Sequence, residues 1–442
     1  MKRLLGEAGF FAYLDALNQP YTRALRVNLL LRPDGTPPCP IEGLGAPVPW
    51  AKGAYFVEGD ARPGLSPLHE GGLFYMQEPS ALTAVTALDP QPGERVLDLC
   101  AAPGGKSTQI AALMAGRGLL CCNEPIPSRA QILSRNIERM GVRNAVVLSA
   151  MPDALAPRFP AFFDRILVDA PCSGEGMFRR QPEARDEWDA DAPRRCADRQ
   201  MEILAQAAKM LRPGGTMVYS TCTFNDTENE GVLRRFLALH PEFSLVPFAL
   251  PGLPEAKDGY LHLYPHEMRG EGHFVSRLKK ADGADEADAP VQAAPQRKAP
   301  ARAAVKGKAP APIALPDVFS GAFAPERLYT AGDALWMLPE GISIERLSGL
   351  RVLRTGLLLA HAEGKRSEPD HALAMALRPE EAARTASLTQ TQALAYQAGE
   401  TLSLGDLPGG YTLLCCEGVS LGWGKQAGGL MKNHYPKGLR RR

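Results

Sequence analysis

Cys172, in DAPCSGEGM (169–177), and Cys222, in STCTFND (220–226), each stand among Pro, Ser, Thr and Gly immediately after an apolar run that reads as a strand. In a doubly wound parallel sheet the carboxyl ends of the strands border the ligand crevice, so both thiols are expected to face one site. The other seven cysteines, at positions 39, 100, 121, 122, 196, 415 and 416, read as small buried hydrophobes rather than nucleophiles. Nine cysteines is an odd and sparse set with no CxxC pair, which excludes a disulfide scaffold and a zinc ribbon. Any cysteine chemistry is therefore thiol chemistry, with the thiolate as the nucleophile.

A second constellation lies earlier in the chain. CAAPGGK (100–106) falls where an apolar strand at 96–99 meets a helix, so backbone N–H groups and the helix N-terminus can face a ligand. Gly104 and Gly105 are expected to allow close backbone approach to that ligand. The loop matches neither GxGxxG nor GxxxxGK[ST]. Glu124 closes the next strand, 20 residues after Gly104, where an acid accepts hydrogen bonds from both hydroxyls of a ribose. A nucleoside cofactor follows, with NAD and S-adenosylmethionine both compatible. His262, His266 and His273 lie in HLYPHEMRGEGHF, which reads as a hairpin; no cysteine or paired acid completes a metal set, and no metal is expected.

The elements that must position these groups are legible from period and turn chemistry. Apolar residues at three- and four-residue spacing (Leu4, Ala8, Phe11, Leu14, Leu17) predict a helix, and RALRVNLLLR (23–32) predicts a strand, together a small α+β unit over 1–75. Over 76–280 strands and helices alternate: GERVLDL, a helix, GLLCCNE, the helix SRAQILSRNIERMG, NAVVLS, FDRILVDAP, a helix ending at LRPGG, and TMVYSTCT. That order implies an α/β, Rossmann-like doubly wound sheet. Residues 281–315, rich in Ala and Pro, read as a disordered linker. Beyond it, RVLRTGLLLAH and GYTLLCCEGVSLGW predict strands and RPEEAARTA a helix, in a separate α+β or mainly β module. In LGWGKQAGGLMKNHYPKGLRRR, Lys425, Lys432, Lys437 and Arg440 to Arg442 alternate with Trp423 and Tyr435, a composition suited to phosphate neutralisation and base stacking.

With 442 residues, 45% hydrophobic and 22% charged, the chain can bury several cores. A net charge of +1 excludes a histone-like protein that coats nucleic acid by overall charge. No apolar run approaches the ~20 residues of a membrane span. Glu7 and Asp15 interrupt what would be the apolar core of a signal, so a cytoplasmic protein with no membrane partner is expected.

The motifs RALRVNLL, MQEPSAL, DLCAAPGGK, NEPIPSRA, LVDAPCSGEGMFRR, LRPGGTMVYSTCT, LYPHEMRGEGHF and GWGKQAGGLMKNHYP closely resemble, over nearly the full length, the RNA cytosine-5 methyltransferases of the Nop/Sun type. Within them the chain is most similar to bacterial RsmF-type enzymes acting on 16S ribosomal RNA. The resemblance implies a first C-terminal domain at 316–384 and a PUA-like RNA-binding domain at 385–442. It implies that Cys100, Ala101, Ala102, Pro103, Gly104, Gly105, Lys106, Glu124, Arg129 and Asp169 bind S-adenosylmethionine. Cys222 would be the nucleophile, Cys172 would assist release of product, and Asp169 and Lys106 would serve the reaction. The implied partner is 16S rRNA or the small ribosomal subunit, methylated in the decoding region by a monomer. A tRNA substrate, or a ribosome-assembly factor that binds RNA without turnover, are the alternatives. One departure is visible: relatives often carry an acid or amide near the end of the NAVVLSAM strand to contact adenine, where this chain has Ser149, Ala150 and Met151 before Asp153.

The implied chemistry explains the residue types. Carbon 5 of cytosine is a poor nucleophile until a thiolate adds at carbon 6 and makes the ring an enamine. A thiol of pKa ~8.5 is only about 3% ionised at pH 7, so Cys222 needs a positive neighbour, for which Lys106 and the cofactor's sulfonium are the candidates. A carboxylic acid that protonates or hydrogen-bonds ring nitrogen 3 would stabilise the charge arriving there, a role assigned to Asp169. A base must then remove the carbon-5 proton, either Cys172 or water.

Overall fold

The computed structural model describes residues 1–283, 313, 317–321, 323–363 and 366–441. The linker expected over 281–315 therefore falls almost wholly outside the described residues. Among the described residues no helix is long and apolar enough to cross a membrane.

The chain opens with a helix, Lys2–Leu17, interrupted at Gly6 (φ 69°). The apolar stripe expected to bury it does not: Leu4, Phe11 and Leu14 are exposed, and Tyr13 is its one buried side chain. Tyr13 sets its ring edge against Phe224 at 5.7 Å, which anchors the helix beside the loop that follows Cys222. Strands β1 (Arg23–Val27), β2 (Leu44–Pro47), β3 (Ala54–Val57) and β4 (Phe74–Gln77) form a small sheet in the order β2-β3-β1-β4. The first strand ends at Val27 rather than running to residue 32. Asn28 stops it by accepting from the N–H of Leu30 while donating to the carbonyls of Gly72 and Met140 at 2.9 Å each, so the chain turns there.

The main sheet contains β5 (Arg95–Asp98), β6 (Leu119–Asn123), β7 (Ala145–Leu148), β8 (Phe163–Asp169), β9 (Leu211–Thr221), β10 (Phe243–Leu245), β11 (Tyr260–Leu263) and β12 (His273–Lys280). Its order is β10-β12-β9-β8-β5-β6-β7, and β9, β8, β5, β6 and β7 run parallel. β6 and β7 have no exposed residue because helices cover both faces, as expected of parallel strands. The hairpin read in HLYPHEMRGEGHF is present: β11 and β12 pair antiparallel, and β12 lies antiparallel on β9.

The remaining strands are β13 (Leu328–Ala331), β14 (Ala334–Met337), β15 (Val352–Arg354), β16 (Leu357–Glu363), β17 (Arg366–Pro369), β18 (Thr385–Leu388), β19 (Gly410–Cys416), β20 (Val419–Ala427) and β21 (Leu430–Asn433). Eight of them form two four-stranded sheets of their own, β13-β14-β16-β17 and β18-β19-β20-β21, which pack against the rest of the chain. β15 pairs antiparallel with β7 and adds an edge strand to the main sheet. Arg354 pairs with Glu138, and Arg143 with Glu381, across the same seam. Gly141 (φ 64°) lies so close that a Cβ would stand 2.4 Å from the Met375 carbonyl oxygen. Leu25, Leu73 and Phe74 share one apolar cluster with Leu414, Val419 and Leu421. RPEEAARTA is not a helix beyond the single turn Pro379–Glu381, because β18 follows at once and pairs with β19. The helix there is Gln390–Ala398, started by a Thr389 capping box and stopped at Gly399 (φ 96°).

The basic tail is also reinterpreted. Trp423 and Tyr435 are 2% and 4% exposed, and the Trp423 indole donates to the Asp370 carbonyl at 2.8 Å, so neither ring is free to stack on a base. Arg441 donates to the carbonyls of Leu65 and Ser66 and fastens the terminus to the N-terminal unit. Lys432 and Lys437 remain exposed for phosphate. Spacing along a strand does not say which face meets solvent, and here the aromatics took the inner one.

Candidate active site

The parallel pairing that sets Asp169 opposite Ser220 brings the chain beyond β8 and the chain beyond β9 to the same edge of the sheet. The thiols of Cys172 and Cys222, 50 residues apart in sequence, approach to 3.3 Å there. Their loops are tied together: Gly176 donates its N–H to the Cys222 carbonyl at 2.8 Å. The Cys222 contact and burial together push the Cys172 thiol far above its ordinary value, so Cys172 keeps its proton.

Behind this pair lies a polar network that the sequence reading did not single out. Glu228, fully buried, accepts from the Ser173 N–H at 3.0 Å, from the Ser173 hydroxyl, from Gln200 at 2.9 Å and from Asn225 at 2.8 Å. Burial raises its pKa, opposed by these donors. The network fixes the Cys172 loop against the end of β9. The only local signal was the polar run 225–229 following the cysteine.

Asp169 ends β8 beside the thiols. Its Oδ2 accepts from Lys106 Nζ at 2.7 Å and its Oδ1 from the Ser220 hydroxyl at 2.8 Å, while His273 Nε2 stands 3.5 Å from Oδ1. Burial alone would raise the carboxyl pKa, but Lys106 and His273 overcome it and hold the group far below the usual carboxylate range. Asp169 is therefore an ionised acceptor in this state, which suits the hydrogen-bonding half of the role expected of it. Burial would lower Lys106, yet Asp169 holds its ammonium above the ordinary value, and the Cys222 sulfur adds to the same effect. One step behind, Asp98 is wholly buried with Oδ1 unpartnered, and burial pushes its pKa up to about 7.

Both thiols open on a cleft of about 1140 Å3 that runs along the carboxyl ends of β5, β6 and β8. Of the expected cofactor residues, Cys100, Ala102, Glu124, Arg129 and Asp169 line it, and Ala101, Pro103, Gly104, Gly105 and Lys106 form the adjoining turn and helix start. A Cβ on Gly104 would meet Leu133 at 3.2 Å and one on Gly105 the Tyr75 ring at 3.2 Å, so both permit close packing of protein on protein. Gly104 also has φ 113°, which a side chain would strain. Glu124 is 2% exposed; one oxygen accepts from the Ile126 N–H at 3.0 Å and the other faces Arg129 at 3.3 Å, and the carboxylate still borders the cleft. Arg129 donates to the Ala102 carbonyl at 3.1 Å, so it braces the loop. Ile126 and Met151, 48% and 60% exposed, face the same space with Asp153.

The three histidines are separated. His262 pairs with Glu230 at 2.7 Å and His266 packs on Tyr13, and among the described residues no group of three or more His, Cys, Asp or Glu is arranged to hold a metal ion.

Four sequence families match in chain order. They are the N-terminal domain of 16S rRNA methyltransferase RsmF (residues 1–79), 16S rRNA methyltransferase RsmB/F (85–279), the RsmF rRNA methyltransferase first C-terminal domain (317–377) and the methyltransferase RsmF PUA domain (383–441). Ribosomal RNA small subunit methyltransferase F of Erwinia tasmaniensis is 33% identical, with 99% of this chain and 95% of the relative covered. The protein of the same name from an Enterobacter species is 35% identical, covering 97% and 92%. Among solved structures, a methyltransferase homolog protein from Pyrococcus horikoshii superposes with TM-score 0.52 at 29% identity, over 63% of this chain and 97% of that one. NSun6 from the same organism, solved with SFG, shares the fold at TM-score 0.54 and 22% identity, over 64% and 97%.

Proposed function

The chain belongs to the family of the small-subunit ribosomal RNA methyltransferase F, and on that premise we propose that it methylates carbon 5 of a cytosine in 16S rRNA, with S-adenosylmethionine as donor and Cys222 as the attacking nucleophile. The observation that carries the reading is the 3.3 Å thiol pair beside an ionised Asp169 that is held by Lys106.

The cleft fits the donor. Glu124 offers a carboxylate at the end of β6 for two ribose hydroxyls, and Ile126 with Met151 gives an exposed apolar slot for a flat purine, with Asp153 at its rim. When bound, the cofactor supplies an electrophilic methyl group and a sulfonium charge. The target base must leave its stack to reach thiols at the bottom of a cleft. Cys222, with the Lys106 ammonium close by, attacks carbon 6 as the thiolate. The displaced electron pair moves toward ring nitrogen 3. Ring nitrogen 3 takes up a proton from water as that pair arrives, and the Asp169 carboxylate accepts hydrogen bonds from the neighbouring amino group and from the new N–H. Cys172 retains its own proton, so it serves as a donor to the Cys222 sulfur as that sulfur leaves, and the carbon-5 proton passes to water. Exposed Lys432 and Lys437 contribute phosphate contacts.

Mapping 5-methylcytosine in 16S rRNA from cells with and without the gene tests the reading. One modified cytosine should vanish in the deletion strain and return with the wild-type chain, and an unchanged map would refute it. Glu124→Ala is expected to weaken S-adenosylmethionine binding by about 2–4 kcal/mol, the loss of two charge-assisted hydrogen bonds. Calorimetric titration reads this directly, and wild-type affinity would remove Glu124 from the cofactor site.

A further inference from the structure

His273 is 2% exposed, and among the described residues neither ring nitrogen has a hydrogen-bond partner. A buried polar group left unpaired is costly, and a phenyl ring of similar size would avoid that cost. The position of the ring suggests what it is for. The register of β12 on β9 pairs Phe274 with Thr221, which sets His273 across from the turn at Cys222. From there the imidazole passes over the end of β9 and points Nε2 at Asp169 Oδ1, on the strand beyond, at 3.5 Å.

We infer that His273 is a positioning residue for Asp169, completing a three-sided clamp that leaves the carboxylate one direction in which to meet the target cytosine. The inference rests on the reaction proposed above. Lys106 holds Oδ2 and Ser220 holds Oδ1, each from a different element, and His273 is the third group that reaches the carboxylate. The gap of 3.5 Å is slightly long for a hydrogen bond. It closes by a few tenths of an ångström when the base arrives and Asp169 takes up the new donors. A contact that tightens only as the adduct forms acts on turnover rather than on binding. The glutamate at 271 does not compete for the ring, since its carboxylate is taken by Arg179 and by the N–H of Thr22.

The test compares His273→Phe, which keeps the ring volume and loses the N–H, with His273→Gln, which restores a donor. For the phenylalanine variant kcat should fall about tenfold, the loss of one ordinary hydrogen bond, while KM for RNA and the affinity for S-adenosylmethionine stay within about twofold. The glutamine variant should recover most of the rate. On RNA carrying 5-fluorocytosine, whose fluorine stands in place of the carbon-5 proton and cannot be eliminated, formation of the trapped protein–RNA adduct should slow by the same factor. Wild-type kcat in His273→Phe overturns the inference. So does an equal loss in both variants with a lowered melting temperature, which would mark a packing role. If the wild-type protein itself traps no adduct, the covalent reading fails first and the inference falls with it. A wild-type adduct that His273→Phe matches in rate removes this inference alone.

Discussion

Cys222→Ala is expected to lose methyl transfer by at least about a thousandfold, the scale on which removal of a catalytic nucleophile acts, while Cys172→Ala is expected to trap the protein on its RNA. The two thiols are 3.3 Å apart, but in the proposed reaction they act at opposite ends of one covalent cycle. Without the Cys222 sulfur nothing adds to carbon 6 and no enamine forms. Without Cys172 the attack and the methyl transfer remain possible, but the departing sulfur loses its hydrogen-bond donor and elimination slows. Neither change creates a packing problem of note, because both side chains are only partly buried and each loses a single atom. Incubation with RNA and S-adenosylmethionine followed by denaturing electrophoresis should show a shifted band for Cys172→Ala and none for the double variant Cys172→Ala, Cys222→Ala. An adduct that survives loss of Cys222 but needs Cys172 would assign the nucleophile to the other strand end, as in the DNA cytosine-5 enzymes.

Deletion of the chain from residue 316 onward is expected to destabilise what remains rather than release a working catalytic unit. Leu25, Leu73 and Phe74 of the N-terminal sheet are wholly buried, and part of their cover is Leu414, Val419 and Leu421. Uncovering a fully buried side chain of this size costs about 1.5–3 kcal/mol. Three of them together with the lost edge strand β15 approach the 5–15 kcal/mol that typically holds a folded protein together. The truncated protein should therefore be poorly soluble, or melt more than about 10 °C lower by circular dichroism. A soluble truncation with wild-type melting and wild-type cofactor affinity would show instead that the C-terminal strands are an independent unit.

How much of this was legible before folding differs from feature to feature. The alternation of strand and helix, the CAAPGGK turn and the acid at Glu124 are local patterns. Each depends on residues within about one turn or one strand, so the sequence by itself determined the α/β sheet, the CAAPGGK end of the cleft and the two loops that carry thiols. The contact between those thiols was not local, nor was the ionisation of Asp169, which is decided by Lys106, 63 residues earlier, and by His273 on a strand two places away in the sheet. Burial is likewise a property of the whole. The stripe Leu4, Phe11, Leu14 has the spacing of a core face and is exposed, while Trp423 and Tyr435 sit among basic residues as if to meet RNA and are buried. Period and turn chemistry specify which elements form, because they act through neighbouring dihedrals and hydrogen bonds. Which face an element turns inward, and what charge a buried carboxylate keeps, are set by groups that only tertiary packing brings within a few ångströms.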